Sequence, residues 1–128
     1  MPGEPILIVD DNPQNLKLVR VLLQGAGYDV RTAIDAEQAL LVLQSFMPRL
    51  ILMDIQLPGM DGLELTRKLK ADSRFSGTMV FAVSAYAMKT DAQKALAAGC
   101  DEYVTKPIDV DGLPKLIAER LARQAAAS

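Results

Sequence analysis

The sequence predicts an α/β fold in which five parallel strands form a doubly wound (βα)5 sheet. Short continuous apolar runs alternate with amphipathic helical patterns along the whole chain. Runs of that kind, without polar alternation, suit strands covered on both faces. Repeated β-α alternation implies right-handed crossovers with helices on both sides of the sheet. At 128 residues, half of them apolar and 23% charged, the chain fits one domain that buries about two-thirds of its unfolded surface.

Each element has its own signal. The first strand is Pro5 to Val9, stopped by Asp10 and Asp11. Asn12 offers an N-cap and Pro13 a first helical residue; Leu16, Val19, Leu22 and Leu23 then form an apolar stripe that Gly25 or Gly27 ends. Tyr28 to Ala33 reads as an edge strand, and Asp35 with Gln38 as a capping box ahead of Ala39, Leu40 and Leu43. Arg49 to Met53 is the third strand, stopped by Asp54, and Gly62 to Ala71 is the third helix, carrying Leu63, Leu65 and Leu69. Thr78 to Val83 is the fourth strand, stopped by Ser84, followed by a helix from Ala87 to Ala98 that Gly99 ends. Glu102 to Thr105 reads as the second edge strand. The last helix spans about Asp109 to Arg123, its regular part from about Gly112, because Pro114 would remove a hydrogen bond from a helix begun at Val110. Gln124 to Ser128 reads as a frayed end.

Composition excludes several chemistries. With 16 Asp+Glu, 14 Lys+Arg, one Cys and no His, the chain cannot run Ser-His-Asp or Cys-His catalysis, ligate zinc through His or carry a phosphohistidine. Cys100 alone forms no internal disulfide. A net charge of −2 gives no electrostatic case for nucleic acid or anionic membrane. The N-terminal apolar stretch lacks a basic leader, and no apolar run approaches the ~18 residues of a membrane span.

The chemistry must come from acids. Ligands of open parallel sheets sit at the carboxyl ends of the strands, where strand order reverses. Those ends carry Asp10 and Asp11, then Asp54, Ser84 and Lys106. Taken singly, each is an ordinary turn or capping residue; their appearance at successive strand ends is not. If the first and third strands are neighbours, three carboxylates share one crevice. Two unit charges ~4 Å apart at an effective dielectric near 20 repel by roughly 4 kcal/mol, so a cation belongs among them. Magnesium suits hard oxygen ligands and keeps positions for water and phosphate. Asp54 is then a carboxylate nucleophile for a phosphoryl group, with Lys106 and the Ser84 hydroxyl on the phosphoryl oxygens.

The segments Ile-Val-Asp10-Asp11-Asn-Pro, Leu-Met-Asp54-Ile-Gln-Leu-Pro58-Gly-Met-Asp-Gly62, Val-Ser84-Ala85 and Tyr103-Val-Thr-Lys106-Pro107 together resemble the receiver domain of two-component response regulators. The resemblance covers residues 5 to about 123. With the DivK type of single-domain regulator the chain shares its Met-Asp-Ile-Gln-Leu-Pro and Ala-Met-Lys segments. The resemblance implies a flavodoxin-like strand order 2-1-3-4-5 and one receiver domain, residues 1–128, with no output domain; a receiver cut from a larger protein is the alternative. Met1, so close to the first strand, favours a natural start.

It further implies that Asp54 takes a phosphoryl group from the histidine of a sensor kinase or phosphotransfer protein. Asp10 or Asp11, Asp54 and the backbone carbonyl of Gln56 would ligate magnesium, or manganese in its place. Ser84 and Tyr103 would form a switch pair, with Ser84 standing where many members have Thr, and Pro107 would follow a cis peptide bond that aims Lys106. Gln56 and Tyr86 would flank the phosphoryl group, Tyr86 hindering the attacking water and lengthening the phosphorylated lifetime. The output would be a protein contact on the face of the fourth helix, fifth strand and fifth helix. Such a chain is a phosphoacceptor that catalyses its own phosphorylation and slow dephosphorylation rather than an enzyme. It is expected in the cytoplasm as a monomer or weak homodimer, binding neither DNA nor membrane. An aspartyl-phosphate phosphatase would need a second acid two residues after Asp54, where Gln56 stands. A flavin carrier would place phosphate against Asp10 and Asp11 and would need more aromatics than the 5% present.

Overall fold

The apolar runs pair into one parallel sheet. A computed structural model describes residues 3–57, 59–85 and 88–127. β1 (Pro5–Val9), β2 (Asp29–Ala33), β3 (Leu50–Asp54), β4 (Met79–Ser84) and β5 (Glu102–Thr105) are ordered β2-β1-β3-β4-β5, the order implied by the resemblance. β1 and β3 are neighbours, with Ile6 opposite Leu50 and Val9 opposite Met53. The chain leaves this pair in opposite directions, which opens a crevice at the strand ends. The central strands β3 and β4 are buried throughout, and the edge strands β2 and β5 are partly exposed.

Strand residues alternate between two cores. On one face α1 (Pro13–Gly25) and α5 (Gly112–Ala127) bring Val19, Leu23, Leu113 and Ile117 onto Ile6, Ile8, Leu50 and Phe81. On the other, α2 (Ala36–Val42), α3 (Gly62–Lys70) and α4 (Lys89–Ala97) bring Ala36, Ala39, Leu65 and Ala95 onto Leu7, Val9, Ile51 and Met53.

Boundaries follow local chemistry and correct several expectations. Asn12 caps α1, its side chain accepting from the N–H groups of Gln14 and Asn15 at 2.9 and 3.2 Å. The box at α2 is shifted: Asp35 accepts from Gln38 N–H, but the Gln38 side chain accepts from Ile34 N–H at 2.8 Å, one residue ahead of the cap. β3 and β4 run to Asp54 and Ser84 instead of stopping before them, because the ladder still pairs Asp54 with Val83 and Ser84 with Thr105. α4 begins at Lys89, with Ala87 outside the described residues. Pro114 lies in the first turn of α5, where an N–H has no intrahelical partner. α5 continues past Arg123 to Ala127 instead of fraying at Gln124. The Gln124 side chain donates to Gly77 O at 2.6 Å and accepts from Arg49 at 3.0 Å, and alanine favours helix. A 3-10 turn at Ser73–Phe75 had no signal in the sequence pattern. Among the described residues no helix is long and apolar enough to cross a membrane.

Gly59 and Gly62 stand either side of Met60-Asp61 and serve different ends. Gly59 has φ +74°. Gly62 is helical, and a Cβ there would lie 2.6 Å from Ile55 Cα and overlap the Asp54 carbonyl oxygen. The start of α3 therefore rests directly on the backbone that carries Asp54. We expect Gly62→Ala to lower stability by about 1–3 kcal/mol through overpacking. Gly25→Ala, with open space around it, should be neutral or stabilising by up to ~1 kcal/mol. Urea denaturation of both variants checks the contrast.

Candidate functional site

Four strand ends converge on one crevice. Asp10 follows β1, Asp54 ends β3, Ser84 ends β4 and Lys106 follows β5. Carboxylate oxygens of Asp10, Asp11 and Asp54 all lie within 4.8 Å of one another. Asp10 and Asp54 are buried, while Asp11 is exposed. The Lys106 ammonium sits 3.1 Å from Asp54 Oδ2 and 3.5 Å from Asp10 Oδ2.

Backbone groups aim the acids. Asn12 N–H donates to Asp10 Oδ1 and Gln56 N–H to Asp54 Oδ1, both at 2.9 Å. Both Asp54 oxygens are therefore engaged, one by the backbone and one by the ammonium. Ser84 is fully buried, and its carbonyl accepts from Lys106 N–H at 2.8 Å, which ties the β5 exit to β4. The Lys106–Pro107 peptide bond is cis. Tyr103 is partly buried and packs against the core beneath α2, α3 and α4. Gln56 is exposed beside Asp54; Tyr86 and Pro58 lie outside the described residues.

Below the acids the floor is apolar. Val19, Leu52, Val83 and Ile108 line a void of only about 10 Å³ against Asp10 and Asp54, barely the volume that one water requires. Burial accordingly raises the Asp10 carboxyl above its ordinary value; the Asn12 N–H and Lys106 draw it down, and the Asp54 charge pushes it up. Burial alone would lower the Lys106 ammonium, but the hydrogen bond to Asp54 and the charges of Asp54 and Asp10 outweigh it, and Lys106 is held above its ordinary value. The donor set is all hard oxygen with negative charge in excess of one ammonium, which fits a small divalent cation.

Two contributors were missed in the sequence. Asn12 reads in the sequence as a cap, and its N–H also orients Asp10, in the Asx-turn pattern where an Asp side chain accepts from the N–H two residues on. Gly62 sets how closely α3 approaches Asp54, and no sequence signal separates that from turn geometry.

The family model of the response regulator receiver domain matches residues 6–118. The polar-differentiation response regulators DivK of Brucella anthropi and Brucella ovis are each 43% identical over 105 residues, covering 82% of this chain and 85% of theirs. A solved CheY-like receiver domain protein from Methanospirillum hungatei JF-1 has a TM-score of 0.90 at 32% identity, over 98% of this chain and 99% of that one. The receiver domain of a sensor histidine kinase from Pseudomonas aeruginosa PAO1 has a TM-score of 0.83 at 32% identity, covering 91% and 96% of the two chains. It holds a magnesium ion in its active site cleft.

Crowded, dry carboxylates cost stability. Asp10 binds its proton more tightly folded than unfolded, so its contribution falls as pH rises above about 4 toward its raised value. In buffer free of divalent cations, Asp10→Asn should therefore raise the thermal midpoint by ~3–8 °C, about 1–2 kcal/mol at this chain length. The gain should grow as pH rises through that window and then level. A lower midpoint for the variant would contradict this electrostatic account.

Proposed function

The chain belongs to the response regulator receiver domain family, and on that premise we propose that it is a phosphorylation-dependent signalling switch with Asp54 as its phosphoacceptor. The observation that carries this reading is the double engagement of the Asp54 carboxylate, by Gln56 N–H and by Lys106, beside two further acids. A buried carboxylate oriented this way, with an N–H on one oxygen and an ammonium on the other, is poised as a nucleophile.

The phosphoryl donor is a histidine on a sensor kinase or phosphotransfer protein, since this chain has none. An Asp54 oxygen forms the new bond to phosphorus as the phosphorus–nitrogen bond of the donor breaks, and the bonding pair stays with the imidazole. Asp10, Asp11 and Asp54, with the Gln56 carbonyl, would hold Mg2+, or Mn2+ in its place; the ion supplies positive charge to the phosphoryl oxygens. Lys106, freed from part of its attraction to Asp54 as that carboxylate becomes an acyl phosphate, moves its charge to a phosphoryl oxygen. The buried Ser84 hydroxyl donates to another, and the Tyr103 ring follows it inward. Those shifts bias a pre-existing equilibrium on the face of α4, β5 and α5, where an effector protein reads the state. Gln56, exposed beside Asp54, and Tyr86, two residues beyond Ser84 in the sequence, would set the phosphorylated lifetime.

Incubation with acetyl phosphate and Mg2+ should add one phosphoryl mass to the intact wild-type chain. No adduct should form on Asp54→Ala, or on wild type in EDTA. An adduct retained by Asp54→Ala would overturn the assignment.

A further inference from the structure

We infer that the groove between α2 and α3 is a self-association surface that takes a second copy of this chain, turned end for end about a two-fold axis near Leu41. On α2, residues 37, 40 and 41 share one helical face, and Gln44 follows in the turn after it. Glu37, Leu41 and Gln44 are exposed and Leu40 is partly buried, with Leu41 59% exposed. The groove has two depressions that share Leu40. One, of about 480 Å³, is bounded by Asp35, Glu37 and Met60 where both helices begin. The other, of about 90 Å³, is bounded by Gln44, Lys68, Asp72 and Arg74 where both end.

The stripe is thus acidic at one end and apolar in the middle, and at the other end Lys68 is left as the positive charge once Arg74 and Asp72 have paired. Acids at helix starts and bases at helix ends answer each helix's own dipole, but α2 carries no base in its last turn, and Lys68 of α3 supplies the positive end. Arg74 is already paired with Asp72. Among the described residues, Glu37 and Lys68 form no ion pair. A surface with this polarity is complementary to itself only when reversed. A two-fold axis places Glu37 against Lys68 of the second copy twice over, sets Leu41 against Leu41 and makes the helix dipoles antiparallel. A parallel arrangement would put acid on acid. No residue of the phosphoryl site takes part, so this inference stands or falls apart from the preceding one.

Sedimentation equilibrium of the full chain at ~0.15 M salt, from about 10 µM to 1 mM, spans the range expected of a small, weak interface. Wild type should rise from monomer towards dimer mass. Glu37→Lys and Lys68→Glu should each stay monomeric, and so should Leu41→Glu, with circular dichroism and melting confirming that the fold is kept. An equimolar mixture of Glu37→Lys with Lys68→Glu should dimerise again, because opposite charges then meet at both ends. A wild type that stays monomeric at 1 mM overturns the proposal. So does association that none of these substitutions weakens, or a mixture that associates no better than either variant alone.

Discussion

Three carboxylates gathered at the ends of two neighbouring strands, with a single ammonium reaching two of them, set the terms for the whole crevice. Asp10 and Asp54 are buried over a floor with almost no room for water, so neither the charge on Asp10 nor that on Asp54 is well screened. Lys106 offsets part of that charge at 3.1 and 3.5 Å. Asn12 and Gln56 fix the remaining oxygens through backbone N–H groups. What is left is a fixed excess of negative charge in a rigid pocket. It is unfavourable for folding and suited to a divalent cation, which is how a binding site differs from a well-packed core.

The rest of the fold serves this arrangement. Parallel strands buried on both faces hold their tips more rigidly than loops would, and the reversal of direction between β1 and β3 is what opens the crevice. Gly62 lets α3 lie on the backbone of Asp54 and Ile55, so the backbone that carries Asp54 is braced by the start of a helix. Ser84 and Lys106 are linked through their backbones, which joins the β4 and β5 ends. Tyr103, on β5, packs towards α2, α3 and α4.

Most of the fold was legible because its signals are local and one-dimensional. Continuous apolar runs gave every strand to within a residue, and caps at Asn12 and Asp35 placed two helix starts. The strand-end acids could be read as a site because parallel topology carries chain position into spatial position. What escaped depended on three-dimensional proximity. The brace at Gly62 is a contact between segments, invisible in a glycine's neighbours in sequence. The extension of α5 depends on Gln124 reaching Gly77 and Arg49, and the one-residue extension of β3 and β4 on their ladder partners. The groove between α2 and α3 appears only once both helices lie on the same face of the sheet.

The central claim is that Lys106 and a divalent cation compete electrostatically for the same carboxylates. Calorimetric titration of Mg2+ into wild type and Lys106→Met tests it most directly. One ion should bind each chain, and the variant, relieved of the competing ammonium, should bind it more tightly by about 5- to 30-fold, the equivalent of ~1–2 kcal/mol at an effective dielectric appropriate to a half-open crevice. Equal or weaker affinity in Lys106→Met would contradict the account.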